Sequence, residues 1–240
     1  MPLSRREALV TSGATLAGFA LAAMAREDAQ AQSMSPQAPW PDHLVDAPLR
    51  PGFPVLLPLN ADGSAPEHLQ SEAGPIVGRL MWRTPDAQPP PGEADYHKMA
   101  IKVDTRGLAK RSGTLHFSDL EQLPRVSQTY LLQCAAPEPH GVVKWTGVRF
   151  ADFADMLGLI KAPLYCRLVA TDRHYVDEAI DTLRHPQVML AWMMNDQPLP
   201  MAHGAPVRLV VPFRYGNRSI KAITEISFAT PGLPMPPLPS

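Results

Sequence analysis

With 240 residues, 45% of them apolar, and a formal net charge of -1, the chain can bury one substantial core and offers no electrostatic case for nucleic acid or an anionic membrane surface. Two cysteines, Cys134 and Cys166, are too few to staple a domain of this size. The 28 prolines cluster at 36–66, 85–91 and 231–239, where missing backbone donors favour extended segments over regular structure.

In chain order, Ser4-Arg5-Arg6-Glu7-Ala8-Leu9 leads into an Ala/Gly-rich run from Ala8 to Ala25. Paired arginines before a mildly apolar run resemble a twin-arginine export signal, with small-x-small cleavage options after Ala25 or Ala31. Residues 1–31 are therefore expected to be a signal peptide for export to the periplasm. Ala8 departs from the large residue usual at that place. Thr11, Ser12, Gly13 and Thr15 make the run a poor membrane anchor, the competing reading. The twin-arginine route carries folded proteins, which suits a chain whose cofactor is loaded before export.

Residues 32–97 read as an irregular, Pro-rich wrapping segment with short apolar pieces at Phe53–Leu59 and Ile76–Trp82. Lys98–Val103 alternates Met99, Ile101 and Val103 against polar neighbours and predicts a strand. Ser118-Asp119-Leu120-Glu121 reads as a capping box opening a short helix that Pro124 stops. Val126–Gln133 predicts the strand that delivers Cys134 to a Pro-rich loop. Phe150, Phe153, Ala154 and Leu157 fall on one face of a helix over Phe150–Leu157, with Gly158 as its left-handed cap. Leu164–Ala170, Val188–Met194, Val207–Pro212 and Ile220–Phe228 predict further strands, the second of these equally readable as a helical turn. Residues 229–240 form a Pro-rich tail. The fold class is α+β, mixed and richer in strand than helix.

A cysteine at the mouth of a loop is a nucleophile, half of a disulfide or a soft metal ligand. In an exported protein a Cys134–Cys166 disulfide competes directly, and Cys166 within Tyr165-Cys166-Arg167-Leu168-Val169 also suits an inert core thiol. The residues alone leave these readings open.

The neighbourhood carries a resemblance. Cys134 is followed by Lys144-Trp145-Thr146-Gly147-Val148, by Leu190-Ala191-Trp192-Met193-Met194-Asn195, by His203-Gly204-Ala205-Pro206-Val207-Arg208-Leu209-Val210-Val211-Pro212 and by Tyr215-Gly216-Asn217-Arg218-Ser219-Ile220-Lys221. This order resembles the molybdopterin-binding domain of the sulfite oxidase family, over about 98–228. The resemblance implies an oxidoreductase with a molybdenum–molybdopterin cofactor. It implies that Cys134 ligates the metal, and that His203, Arg208, Ser219, Ile220 and Lys221, with Thr171 less securely, contact the pterin and its phosphate. A soft thiolate suits an oxo-metal centre, and a phosphate wants fixed cations and backbone donors.

His140, Arg173, His174, Arg184 and Arg214, in loops near these stretches, are candidates for a basic substrate pocket. Trp145 and Trp192 are expected to pack around the cofactor. Departures bear on the substrate. Sulfite oxidases follow the ligand cysteine with Gly-Asn-Arg-Arg, whereas this chain has Ala136-Pro137-Glu138-Pro139. Neither the Asn-Phe-Tyr-Glu-type segment of the methionine-sulfoxide-reductase branch nor the family's C-terminal dimerisation domain has a counterpart. The expected function is oxygen-atom transfer on an S- or N-oxide or an oxyanion. Electrons would be exchanged with a separate c-type cytochrome or membrane haem partner, because the chain carries no Cys-x-x-Cys-His haem site and no flavin fingerprint. The competing readings are a non-catalytic scaffold that keeps the fold and a thiol-redox protein using both cysteines.

Overall fold

The computed structural model describes residues 43, 45–46, 51–78, 82, 88–162 and 164–230. The chain divides into two units, Met1–Leu49 and Arg50–Ser240. In the first, the described residues His43, Val45 and Asp46 are exposed. The expected signal peptide at 1–31 and residues 231–240 of the Pro-rich tail lie outside the described residues.

Among the described residues, the second unit forms two five-stranded sheets. The first sheet has the order β2-β1-β10-β5-β6. Its strands are β1 (Ala100–Asp104), β2 (Gly113–His116), β5 (Tyr165–Ala170), β6 (Tyr175–Ala179) and β10 (Ile223–Ala229). The second contains β3 (Arg125–Gln133), β4 (His140–Arg149), β7 (Met189–Met194), β8 (Gln197–Pro198) and β9 (Arg208–Val210). It runs β3-β4-β7-β8, with β9 also paired to β7. Among the described residues, three short α-helices, α1 (Phe117–Leu120), α2 (Phe150–Leu157) and α3 (Ile180–Leu183), connect the strands. The strand-rich α+β expectation therefore holds.

Alternation explains how the second sheet is buried on both faces. Along β7, Leu190 and Trp192 join the large core while Met189 and Ala191 join a smaller one. Val148 of β4 faces the large core, and Val143 and Trp145 face the smaller. The large core takes Ile101, Val103, Leu168, Val176, Ile226 and Phe228 from the first sheet, so both sheets pack against one interior. Each such side chain contributes about 1.5–3 kcal/mol when fully buried.

Helix α2 has the predicted bounds. Phe150, Phe153, Ala154 and Leu157 are buried, the two phenylalanine rings meet edge to face at 5.3 Å, and Gly158 closes the helix at φ 69°. The capping box is displaced from its expected place. His116 is the N-cap of α1, and its backbone N–H donates to Asp119 Oδ2 at 2.9 Å, because Phe117 rather than Ser118 opens the turn. The segment Val188–Met194 resolves as a strand. It is clamped between β4 on one edge and β8 and β9 on the other, and pairing of both edges overrides any helical preference. Strand β10 begins at Ile223 rather than Ile220, and Ile220–Ala222 instead pass alongside β9: Leu209 N donates to Ile220 O at 2.9 Å.

The Pro-rich stretch is threaded along the second sheet by separated backbone bonds. His68 N donates to Thr129 O at 2.8 Å, Gly74 N to Val142 O at 3.0 Å and Val77 N to His140 O at 2.7 Å. Its described residues include the 3-10 turns Gln70–Glu72 and Tyr96–Lys98. None of the helices among the described residues is long and apolar enough to cross a membrane.

Candidate active site

Strands β3 and β4 pair without interruption from Arg125↔Val148 to Gln133↔His140, so the residues between them form a hairpin loop, 134–139. Cys134 opens that loop. Its N–H donates to Pro139 O at 3.0 Å, which closes the loop on itself, and Val55 N donates to Ala135 O at 2.8 Å from the wrapping segment. Cys134 is partly exposed and Cys166 is fully buried in the large core. Both are free thiols, so the disulfide reading is excluded. Burial, then the Asp177 carboxylate, pushes the Cys166 thiol well above its usual range, which fits an inert core residue.

Cys134 looks into a cavity of about 250 Å³. The same cavity is lined by Trp82, Leu132, Pro139 and His174, by His203, Arg208, Ser219 and Lys221, and by Gly216 and Asn217. Residues about 70–90 positions apart in sequence thus share one space, because Cys134 directly follows β3 while Arg208 starts β9, with β4 and β7 between those strands in the same sheet.

The cationic side is held by backbone carbonyls. Arg208 is 1% exposed, stacks 4.7 Å over the Trp145 ring, and donates to His203 O at 2.9 Å and Ser219 O at 2.8 Å. It therefore clamps two loops together as well as bringing charge to the cavity. Ser219 Oγ accepts from Val211 N at 2.9 Å, which leaves the hydroxyl proton to give to an anion. Lys221 Nζ donates to Ala202 O at 2.8 Å and sits 5.3 Å over the Trp82 ring, whose Nε1–H is bound to Asp172 Oδ2 at 2.7 Å.

His203 closes a 3-10 turn, Met201–His203, and Gly204 follows at φ 103°. A Cβ at Gly204 would lie 2.6 Å from Lys221 Cβ, so the bare glycine permits these two loop segments of the site to approach. The His203 ring is buried, and its Nδ1 has no hydrogen-bond partner among the described residues. Burial, and then the Arg208 and Lys221 charges, hold its pKa down to about 4, so the ring is neutral at pH 7.

The other expected site residues lie close by but in different roles. Ile220 is buried in the large core and presents only backbone to this region. Thr171 directs both its N–H and its hydroxyl to Ala222 O, at 3.0 and 3.3 Å, and so braces the residue after Lys221. Of the basic residues considered for substrate, His174 lines the cavity. His140 Nδ1–H is turned to Pro137 O at 2.9 Å, Arg184 is paired with Asp155 at 2.8 Å, Arg214 lies 5.8 Å from the Phe213 ring, and Arg173 is exposed with φ 67°. None of these four lines the cavity. Trp145 does pack beneath Arg208, whereas Trp192 packs in the large core against Phe117 and Tyr96.

Sequence reasoning passed over Trp82, Leu132 and Pro139. A single apolar residue carries no chemical signal in a sequence; the pairing of β3 with β4 sets Leu132 and Pro139 beside the thiol, and the contacts of Trp82 with Asp172 and Lys221 hold it at the cavity. Asn217 lay inside a stretch already singled out, but nothing distinguished it from its neighbours.

A thiol and fixed cations share one small cavity in an α+β double-sheet fold, the arrangement of a cofactor-binding domain. Residues 87–231, more than half of the chain, match the family model described as "Oxidoreductase molybdopterin binding domain". The chain belongs to that family, a molybdopterin-dependent oxidoreductase family that includes sulfite oxidase. It is 31% identical over 151 residues to the protein-methionine-sulfoxide reductase catalytic subunit MsrP of Campylobacter jejuni, covering 56% of this chain and 50% of that one. It is 29% identical over 235 residues to mitochondrial sulfite oxidase of Mus musculus, covering 81% of this chain and 40% of that one. The chain thus spans half or less of these relatives. Among solved structures, sulfane dehydrogenase SoxCD from Paracoccus pantotrophus shares the fold, with a TM-score of 0.51 at 19% identity over 57% of this chain and 39% of that one.

The residues present fit a molybdopterin. An unpartnered buried imidazole nitrogen, a glycine cradle at Gly204, a hydroxyl with a proton to give and two cations answer a phosphorylated heterocycle, and a thiol faces them.

Proposed function

We propose that residues 98–228 form the cofactor-binding domain of an oxygen-atom-transfer enzyme, in which Cys134 ligates molybdenum and His203, Arg208, Ser219 and Lys221 hold the pterin. The convergence of Cys134 with Arg208, Ser219 and Lys221 on one cavity carries this reading. Lys221 and the Ser219 hydroxyl would take the phosphate, His203 Nδ1 would meet the pterin edge, and Arg208 would keep the two loops in register while adding its charge. Ile220 would contribute backbone and Thr171 would brace the segment. The metal would supply two-electron exchange of an oxygen atom, which no side chain in the cavity can perform.

The substrate we favour is a neutral sulfoxide, free or on a protein. Glu138 and Pro139 occupy the places where sulfite oxidases have arginines, and Pro139 lines the cavity. Apart from the cofactor-side cations, His174 is the basic residue lining the described cavity. A doubly charged oxyanion is thus poorly compensated, while a sulfoxide needs one hydrogen-bond donor at its oxygen. The name of the methionine-sulfoxide-reducing relative supports the same choice. Reduction consumes two electrons and two protons and releases the sulfide and water. The electrons would come from a separate haem protein in the periplasm, reached through the twin-arginine-type signal at 1–31.

Metal analysis of protein from a molybdenum-replete host is expected to give about one molybdenum per chain, with Cys134→Ser abolishing reduction of methionine sulfoxide by a dye donor. Sulfite oxidation outpacing sulfoxide reduction would overturn the substrate. Full loading with turnover of neither would leave the scaffold reading standing.

A further inference from the structure

Gln133, the last residue of β3, is 6% exposed and does not line the cavity. Its carboxamide turns under the 134–139 loop. Nε2 donates to Cys134 O at 2.8 Å and Ala136 O at 2.9 Å, with Pro137 O at 3.5 Å. Acceptors on every side fix which end of the amide faces the loop, because an amide oxygen there would meet three carbonyl oxygens. Val55 N holds Ala135 O, and His140 Nδ1–H holds Pro137 O as well. Each carbonyl from Cys134 to Pro137 therefore has a donor.

The effect falls on Cys134. Its N–H is tied to Pro139 O and its C=O to Gln133 Nε2, so both peptide planes flanking its Cα are held and the Cα–Cβ direction is fixed. Only rotation about χ1 is left to the thiol. An apolar side chain or a carboxylate at the end of β3 could make neither donation.

We propose that Gln133 is a positioning residue for the active-site thiol: its amide gathers the carbonyls of the Cys134 loop so that Sγ is presented to the cavity in one orientation. This rests on the reading of Cys134 as the metal thiolate. It adds that the geometry of that thiolate is set from beneath the loop by a side chain that never touches the cofactor.

The test uses the full chain with Gln133→Glu, nearly isosteric but placing oxygens against the carbonyls, and Gln133→Leu, which removes the donor. In cofactor-free protein, iodoacetamide reads Cys134 alone, because Cys166 is fully buried, and Cys134→Ala sets the background. Release of the loop is expected to raise the alkylation rate about tenfold, the factor for losing one to two neutral hydrogen bonds. In loaded protein, the Mo(V) resonance of both variants is expected to shift in g values while circular dichroism stays as in wild type. Unchanged alkylation and an unchanged resonance would overturn the proposal. Should neither variant fold, exchange of the wild-type Gln133 side-chain amide protons decides: about tenfold or greater slowing relative to exposed glutamines supports it, and exchange at their rate refutes it. Absence of molybdenum from purified wild-type protein would sink the function proposed above, yet the alkylation and exchange arms would still decide the role of Gln133.

Discussion

The His203 imidazole is neutral because burial and the Arg208 and Lys221 charges all oppose its protonation, holding it at about 4 in the folded chain against 6.5 as its ordinary value. Between those values the unfolded chain binds more protons than the folded one, so stability is full above about pH 6.5 and is lost as pH falls towards 4. At about 1.4 kcal/mol per unit the loss is bounded by about 3.5 kcal/mol. Thermal melts of cofactor-free protein from pH 7 to pH 4 are expected to show this slope, and His203→Gln to remove it. A variant whose profile runs parallel to wild type would mean that another group carries the acid sensitivity. Gly204 poses a steric rather than electrostatic demand. Gly204→Ala must place a side chain at φ 103° and push Lys221 aside, which costs about 2 kcal/mol or more. Its melting temperature should fall by about 5 °C or more, and cofactor retention on gel filtration should fall with it.

The hairpin of β3 and β4 explains what was and was not legible before the structure. β3 announced itself through Val126, Tyr130, Leu131 and Leu132 and was placed within a residue of its observed start. β4 carried no such signal, although at 10 residues it is the longest strand among the described residues, because Gly141, Lys144, Thr146, Gly147 and Arg149 interrupt its apolar run. Those residues are explained only by neighbours. Gly147 stands where β4 bulges against β7, and a Cβ there would overlap the Leu190 carbonyl oxygen. The stretches behind the candidate site were legible because they sit close together in sequence, from His203 to Lys221. Gln133 and Pro139 act through a loop closure that no linear pattern reports. Gly147→Ala is expected to destabilise by about 3 kcal/mol or more, since neither strand can retreat from a paired sheet. Gly74→Ala, which meets nothing within 4 Å, should stay within about 0.5 kcal/mol of wild type. Urea melts of the two side by side check the contrast, and similar midpoints would mean that β4 and β7 separate more readily than their pairing indicates.

At the scale of the whole second unit, the candidate site draws on both sheets. Cys134 is delivered by β3 of one sheet, whereas Ser219 to Ala222 run directly into β10 of the other, with Thr171 at the end of β5 bracing them. Arg208 stands between, stacked on Trp145 and bonded to the carbonyls of His203 and Ser219. A ligand gripped at both ends therefore links the two sheets through contacts additional to their shared core. Binding to the folded state alone adds about 4 kcal/mol when free ligand stands at a thousandfold over its dissociation constant. Loaded protein is accordingly expected to melt well above cofactor-free protein in one transition. Hydrogen exchange is expected to slow on loading in 134–139 and in 203–222 together, while the paired interior of β1 and β5, already buried, changes little. Protection gained in only one of those two segments would mean that the thiol and the cations do not grip the same molecule, and the assignment of both ends of the site would fall with it.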